Sequence, residues 1–113
     1  MSNLILTLSF DFSLKIIKYC SVLEEEKRFV IAKQLLKSGT SIGANIREAQ
    51  NAESKNDFIH KFKIAAKEAE ESEYWLLLCK ESGYVECTHL LVEIKSIIKI
   101  ITKIIAASKR KSD

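Results

Sequence analysis

The chain has 113 residues, a net charge of +3, three glycines, three cysteines and no proline. That is the length of one domain, and the abundance of apolar residues and of charges of both signs excludes a disordered chain and argues against a sheet protein. The charge is too mild to argue for nucleic acid by itself, and a core this small is thin enough to gain from self-association.

In chain order, residues 1–8 read as an N-terminal arm without a strong period. Helix 1 is expected to begin near Ser9 or Asp11, either of which can cap it. Its core face is Phe12, Ile16, Tyr19 and Leu23, widened by Leu14, Ile17 and Cys20. The charged run Glu24 to Arg28 reads as a turn or as the acidic first turn of helix 2, where carboxylates suit the helix dipole. Helix 2 is expected from about Glu25 to about Gln50, followed by a break at residues 51–54. Ser54 or Asn56 caps helix 3, with Asp57 in its first turn. Helix 3 has the cleanest period: Phe58, Phe62, Ala65, Ala69, Ser72, Leu76 and Cys79 alternate steps of four and three. Ser82-Gly83 ends it, with Gly83 at the left-handed position. Helix 4 is expected from near Glu86 to about Lys109. Leu90, Ile94, Ile97, Ile101 and Ile104 form one apolar row, and Leu91, Ile98 and Ile105 a second. Residues 109–113 form a basic, frayed tail. One domain, residues 1–113, is predicted: an all-α, antiparallel, up-down-up-down four-helix bundle.

The oddest stretch is Ser38-Gly39-Thr40-Ser41-Ile42-Gly43-Ala44-Asn45-Ile46-Arg47-Glu48. Each glycine weakens a helix by roughly 1 kcal/mol relative to alanine. Yet Ala32, Leu35, Gly39, Ile42, Ile46 and Ala49 keep helical phase through them. Close approach of a neighbouring backbone explains glycine there, and the small waist of helix 3, Ala65, Ala66, Ala69 and Ser72, is the expected neighbour. Beside that row run Gln34, Ser38, Ser41, Asn45 and Glu48, a polar seam that is satisfied locally or against another subunit. The end of helix 3 is apolar nearly all round, so Tyr74, Trp75, Leu77 and Leu78 are expected at a subunit interface.

Cys20, Cys79 and Cys87 are odd in number and have no paired spacing, which fits a reducing cytoplasm rather than a secreted disulfide framework. Leu4-Ile5-Leu6 is too short for a signal-peptide core. Lys99 and Lys103 interrupt the apolar run 97–107, so no run reaches the ~20 residues of a membrane span; no membrane partner is expected.

Several segments together resemble the bacterial four-helix bundle protein family, some of whose members are encoded within intervening sequences of 23S ribosomal RNA genes. They are Gln34 to Ile46, Glu48-Ala49, Ser54-Lys55-Asn56-Asp57-Phe58, Ile64-Ala65, Lys67-Glu68-Ala69, Glu73-Tyr74-Trp75-Leu76 and Ser82-Gly83. The resemblance spans about Phe10 to Ala107. Many members carry proline where this chain has Gly43, which implies a gentler kink here. The chain is also similar to the accessory protein of diversity-generating retroelements, a basic pentamer that works with a reverse transcriptase and nucleic acid. The resemblance implies a homopentamer without enzymatic activity or cofactor.

Three functions are then weighed. The first is a non-enzymatic oligomer whose partner is nucleic acid or a nucleoprotein. Its candidate contacts are Lys61, Lys63 and Lys67 on helix 3, Lys95, Lys99 and Lys103 on helix 4, and Lys109, Arg110 and Lys111 of the tail. Repeated around a ring, weak basic stripes add up, although no aromatic cluster for base stacking lies among these lysines in the sequence. The second is a protein-interaction scaffold that docks through the apolar end of helix 3 and the arm. The third is a metal bundle using Asp57-x-x-His60 and Glu86-x-x-His89. Antiparallel helices would place these two pairs about a helix length apart, ~40 Å for ~27 residues, and two ligands are too few for a tight site; no metal is expected. Glu68 and Glu73 flank the core face, with a structural partner expected rather than a catalytic role; for Glu73 that partner is a lysine or the Ser41–Asn45 seam.

Overall fold

A computed structural model describes residues 2–111, in four helices: α1 Ser2–Glu25, α2 Phe29–Ala49, α3 Lys55–Glu81 and α4 Thr88–Arg110. No strand occurs among the described residues. α1 packs on α2 and α4, and α3 packs on α2 and α4, while the backbones of α1 and α3 stay apart across the core. Short connections between successive helices give the expected antiparallel bundle, a rod of 51 × 20 × 19 Å. α1 and α3 therefore stand on one diagonal, and their outer faces point away from each other.

The first correction concerns residues 1–8. From Ser2 on they are not an arm but the first two turns of α1. Ile5, Ser9, Phe12, Ile16, Tyr19 and Leu23 form one unbroken row of fours and threes, and all are buried. Ser9 is 1% exposed, so it cannot be a solvent-facing cap. Its hydroxyl donates back to the Leu6 carbonyl at 3.3 Å, the way a mid-helix serine satisfies itself. Met1, Ser112 and Asp113 lie outside the described residues, so the frayed tail is described only to Lys111. Lys109 and Arg110 belong to the last turn of α4, where cations favour the helix dipole.

Of the Glu24 to Arg28 run, Glu24 and Glu25 end α1 and Glu26 to Arg28 make the turn, so α2 starts at Phe29 rather than near Glu25. Lys27 sits at φ 63°. Its amide donates to the Glu24 carbonyl at 2.9 Å and the Arg28 amide to Leu23 at 2.8 Å, the paired bonds of a Schellman end. Gly83, at φ 74°, closes α3 identically, with Gly83 bonded to Lys80 at 3.2 Å and Tyr84 to Cys79 at 3.0 Å. A left-handed residue with a side chain costs roughly 1–2 kcal/mol. Lys27→Gly is thus expected to raise the thermal midpoint by a few degrees. Gly83→Ala is expected to lower it, although an added Cβ there meets nothing within 4 Å. Thermal melts followed by circular dichroism check both.

Ser54 caps α3 as expected, accepting from the Asp57 amide at 3.0 Å, while Asp57 Oδ2 accepts from the Glu53 amide at 3.2 Å. Glu86 is outside α4 and its carboxylate accepts from the Thr88 amide, so α4 begins two residues later than expected.

The second correction concerns the glycines. α2 runs through both without a break, but they face α1 rather than the waist of α3. A Cβ at Gly39 would lie 2.8 Å from Ile16 Cγ2, and one at Gly43 would lie 3.3 Å from the Ser9 carbonyl oxygen. The waist of α3 meets α2 one residue away, at Ser38. The Ser38 and Ser72 hydroxyls share a hydrogen bond of 2.9 Å between α2 and α3, and both residues are buried. Ser72 Oγ is also 2.8 Å from the Glu68 carbonyl. Periodicity identified the buried row but not which neighbour it faces.

One end of the rod is tied by Tyr19, whose hydroxyl donates to the Val85 carbonyl at 2.6 Å. Cys20, Cys79 and Cys87 are buried around it as free thiols. Burial first, then the neighbouring Cys79 and Glu24, pushes the Cys20 thiol up to about 12 from 9.0. The folded state therefore holds this proton where the unfolded chain releases it. The resulting stability is complete below pH 9 and is lost as pH rises towards 12. Cys20→Ala is expected to flatten that alkaline loss; denaturant midpoints measured across this window test it.

Candidate nucleic-acid interface and assembly faces

Cys87 Sγ lies 3.4 Å from the Leu76 carbonyl near one end of the α3–α4 pair, and Phe58 and Ile104 line one hollow near the other. These contacts set the antiparallel register. Lys63 is thereby level with Lys99, and Lys67 with Lys95. All four are exposed, as are Lys103, Lys109, Arg110 and Lys111. None of these eight cations forms an ion pair within 4 Å among the described residues. They make a basic stripe along α3 and α4 that ends at the α4 terminus.

Lys61 does not belong to the stripe. Its Nζ binds Glu48 Oε1 at 2.8 Å, and that hydrogen bond is the main cause that raises its pKa. Lys61 and Glu48 instead clamp α3 to α2. In the sequence Lys61 looks like its neighbours, because its partner sits on another helix.

From Ser38 to Glu48 the polar seam of α2 is satisfied within the chain, while Gln34 at its start is exposed. Ser41 Oγ donates to Lys37 O at 2.7 Å, Asn45 Nδ2 donates to Ser41 O at 2.9 Å, Ser38 meets Ser72, and Glu48 meets Lys61. Glu68 is half-buried and forms no ion pair within 4 Å among the described residues; burial raises its pKa, Glu71 adds to this, and Lys37 and Lys67 oppose it. Glu73 makes neither of the contacts expected for it. The pairs Asp57/His60 and Glu86/His89 lie at the starts of α3 and α4, at opposite ends of the rod, and both histidines are exposed.

Of the residues expected at an interface, Tyr74, Leu77 and Leu78 are exposed on α3. Trp75 is half-buried and turns towards the α1–α2 end of the bundle. It lines a shallow hollow with Arg28, Phe29, Ile31 and Tyr84, donates Nε1 to Glu71 Oε2 at 3.0 Å and stacks edge-on with Tyr74 at 5.2 Å. A second apolar face was not separated from the core in the sequence. Leu4, Phe10, Leu14 and Ile17 are all about half exposed on the outer side of α1. Leu14 and Ile17 therefore do not widen the core as expected. Their three-residue spacing, one step out of phase with the buried row, was the available signal.

The family model described as 23S rRNA-intervening sequence protein matches residues 2–107. The chain belongs to that family. No curated protein matches it. A solved structure similar to it is a protein of unknown function from the S23 ribosomal protein family of Bacteroides thetaiotaomicron VPI-5482, 41% identical, with a TM-score of 0.88. The match covers 93% of this chain and 97% of that one. The Ser38 to Glu48 stretch lies within the residues that match this family's model, and the fold assigns it to packing. Gly39 and Gly43 admit α1, Ser38 and Glu48 bind α3, and Ser41 and Asn45 bond along their own helix. Among the described residues no helix is long and apolar enough to cross a membrane.

Proposed function

We propose that this protein is a non-catalytic, cytoplasmic homo-oligomer that holds nucleic acid, or a nucleoprotein, on the basic stripe of α3 and α4. One observation carries the reading: two apolar faces occupy the outer sides of diagonally opposed helices, α1 and α3. Faces that point apart cannot merge into one self-complementary patch. They suit head-to-tail contacts, which close into a ring when the rotation between successive copies closes. Five subunits is the ring size that the resemblance drawn from the sequence supports. Each added subunit repeats the stripe, and phosphate binding grows with the number of cations engaged.

The reading is tested with single-stranded RNA and DNA at two salt concentrations. Binding is expected to weaken more than about tenfold between roughly 50 and 200 mM salt. Lys67→Glu with Lys99→Glu is expected to reduce it at the lower salt, whereas Lys61→Gln is expected to leave it near wild type. No retention on heparin at low salt would contradict a nucleic-acid role. It would favour the second reading, a scaffold for protein partners, which the exposed Tyr74, Leu77 and Leu78 support.

A further inference from the structure

Where α3 begins and α4 ends, the bundle opens into a hollow of about 650 Å³, within the size range of small-molecule sites. Its wall is aliphatic for the most part: Ile104, Ala106, Ala107 and the ring of Phe58. Phe58 is held there by Phe62, with ring centroids 4.7 Å apart. The rim carries Lys103, Arg110 and Lys111, and among the described residues no carboxylate lines the hollow. Lys55 Nζ donates to the Lys111 carbonyl, which joins the start of α3 to the end of α4 across the opening.

Two unmet demands meet in this one place. Apolar wall is left in water, at a cost of roughly 25 cal/mol per Å². Cationic side chains stand over it without ion pairs from Lys103, Arg110 or Lys111 among the described residues. A phosphate backbone would satisfy the cations and leave the wall wet. Among the described residues, a nucleobase would find Ser108 as the only neutral polar side chain for its edges. An apolar helix face would cover the wall and bury the cations unpaired, which is costly. A carboxylate on a saturated chain satisfies both.

We propose that this hollow binds an anionic amphiphile, a medium-chain carboxylate, with its chain along Ile104 and Ala107 towards Phe58 and its headgroup on Lys103 and Arg110. The site shares Lys103, Arg110 and Lys111 with the basic stripe, but its apolar wall has no part in that role, and the inference goes beyond the nucleic-acid reading.

The test is calorimetric titration of the full chain with dodecanoate below its micelle-forming concentration, beside dodecyltrimethylammonium of the same chain length. One dodecanoate per chain is expected, with at least tenfold weaker binding of the cationic amphiphile. Ala107 is exposed, so Ala107→Trp fills the hollow without entering the core and is expected to abolish uptake while the thermal midpoint holds. If that variant melts early, Lys103→Gln with Arg110→Gln decides, with at least a tenfold loss expected. Equal binding of the two amphiphiles, or wild-type affinity in the variants, would overturn the proposal. So would an absence of dodecanoate uptake joined to a change in sedimentation in Ala107→Trp, which would make the hollow a contact between copies.

Discussion

Gly39→Leu is expected to remove most of the protein's stability. A single added Cβ already lies 2.8 and 3.0 Å from the two γ-carbons of Ile16, and Ile16 is fully buried in a close-packed row. As a β-branched residue in a helix it has one strongly preferred χ1 rotamer, which leaves it little room to yield. Overpacking of one or two carbons costs about 1–3 kcal/mol, and a leucine adds four, against a total that is typically 5–15 kcal/mol. The smaller change Gly39→Ala separates packing from helix propensity. Propensity alone would stabilise by roughly 1 kcal/mol, so a net loss isolates the clash. Gly43→Ala is expected to be milder than Gly39→Ala, because its Cβ would stand 3.3 Å from the Ser9 carbonyl oxygen, tight but short of collision. Ile16→Ala combined with Gly39→Ala is expected to cost less than the two separately, with a coupling of about 0.5–3 kcal/mol. Denaturant unfolding of these four variants and of Ile16→Ala alone measures all of this. Gly39→Leu with wild-type stability would show that α1 does not approach α2 at this point.

Leu14→Glu and Leu77→Glu are each expected to dismantle the assembly into folded monomers. Leu14 is 52% exposed and Leu77 41% exposed in the isolated chain, so neither substitution empties the core, and the thermal transition of the monomer is retained. In a ring each residue is covered, and a carboxylate there is desolvated without a partner, at several kcal/mol per contact. Mixing separates two geometries. If the α1 face of one subunit meets the α3 face of the next, the variants together still form one intact junction and give a capped 1:1 pair. If instead α1 meets α1, Leu77→Glu alone stays assembled. Sedimentation velocity of each variant and of the mixture distinguishes these outcomes.

The period of fours and threes carried most of the fold. α2, α3 and α4 were legible to within a few residues, because their buried rows are almost wholly apolar and Ser54 and Gly83 mark ends by their own chemistry. The first turns of α1 were not, because serine serves equally as a cap and as a small buried residue, and only the fold shows Ser9 to be covered. Which helix a buried row faces is a long-range fact that spacing does not carry; hence the glycines were paired with α3 while Ile16 of α1 is what they admit. The candidate interface was legible as a set of lysines but not as a surface. Lys61 is cancelled by Glu48 thirteen residues earlier, whereas the rungs Lys63–Lys99 and Lys67–Lys95 exist only once α3 and α4 are in register.

Sedimentation equilibrium of the full-length wild-type chain bears most directly on whether the outer faces of α1 and α3 join copies end to end. A closed pentamer gives a single species near five times the 12.9 kDa chain, about 65 kDa. A species of 12.9 kDa that persists at the highest concentration reached would mean that both apolar faces remain in water and that no ring forms.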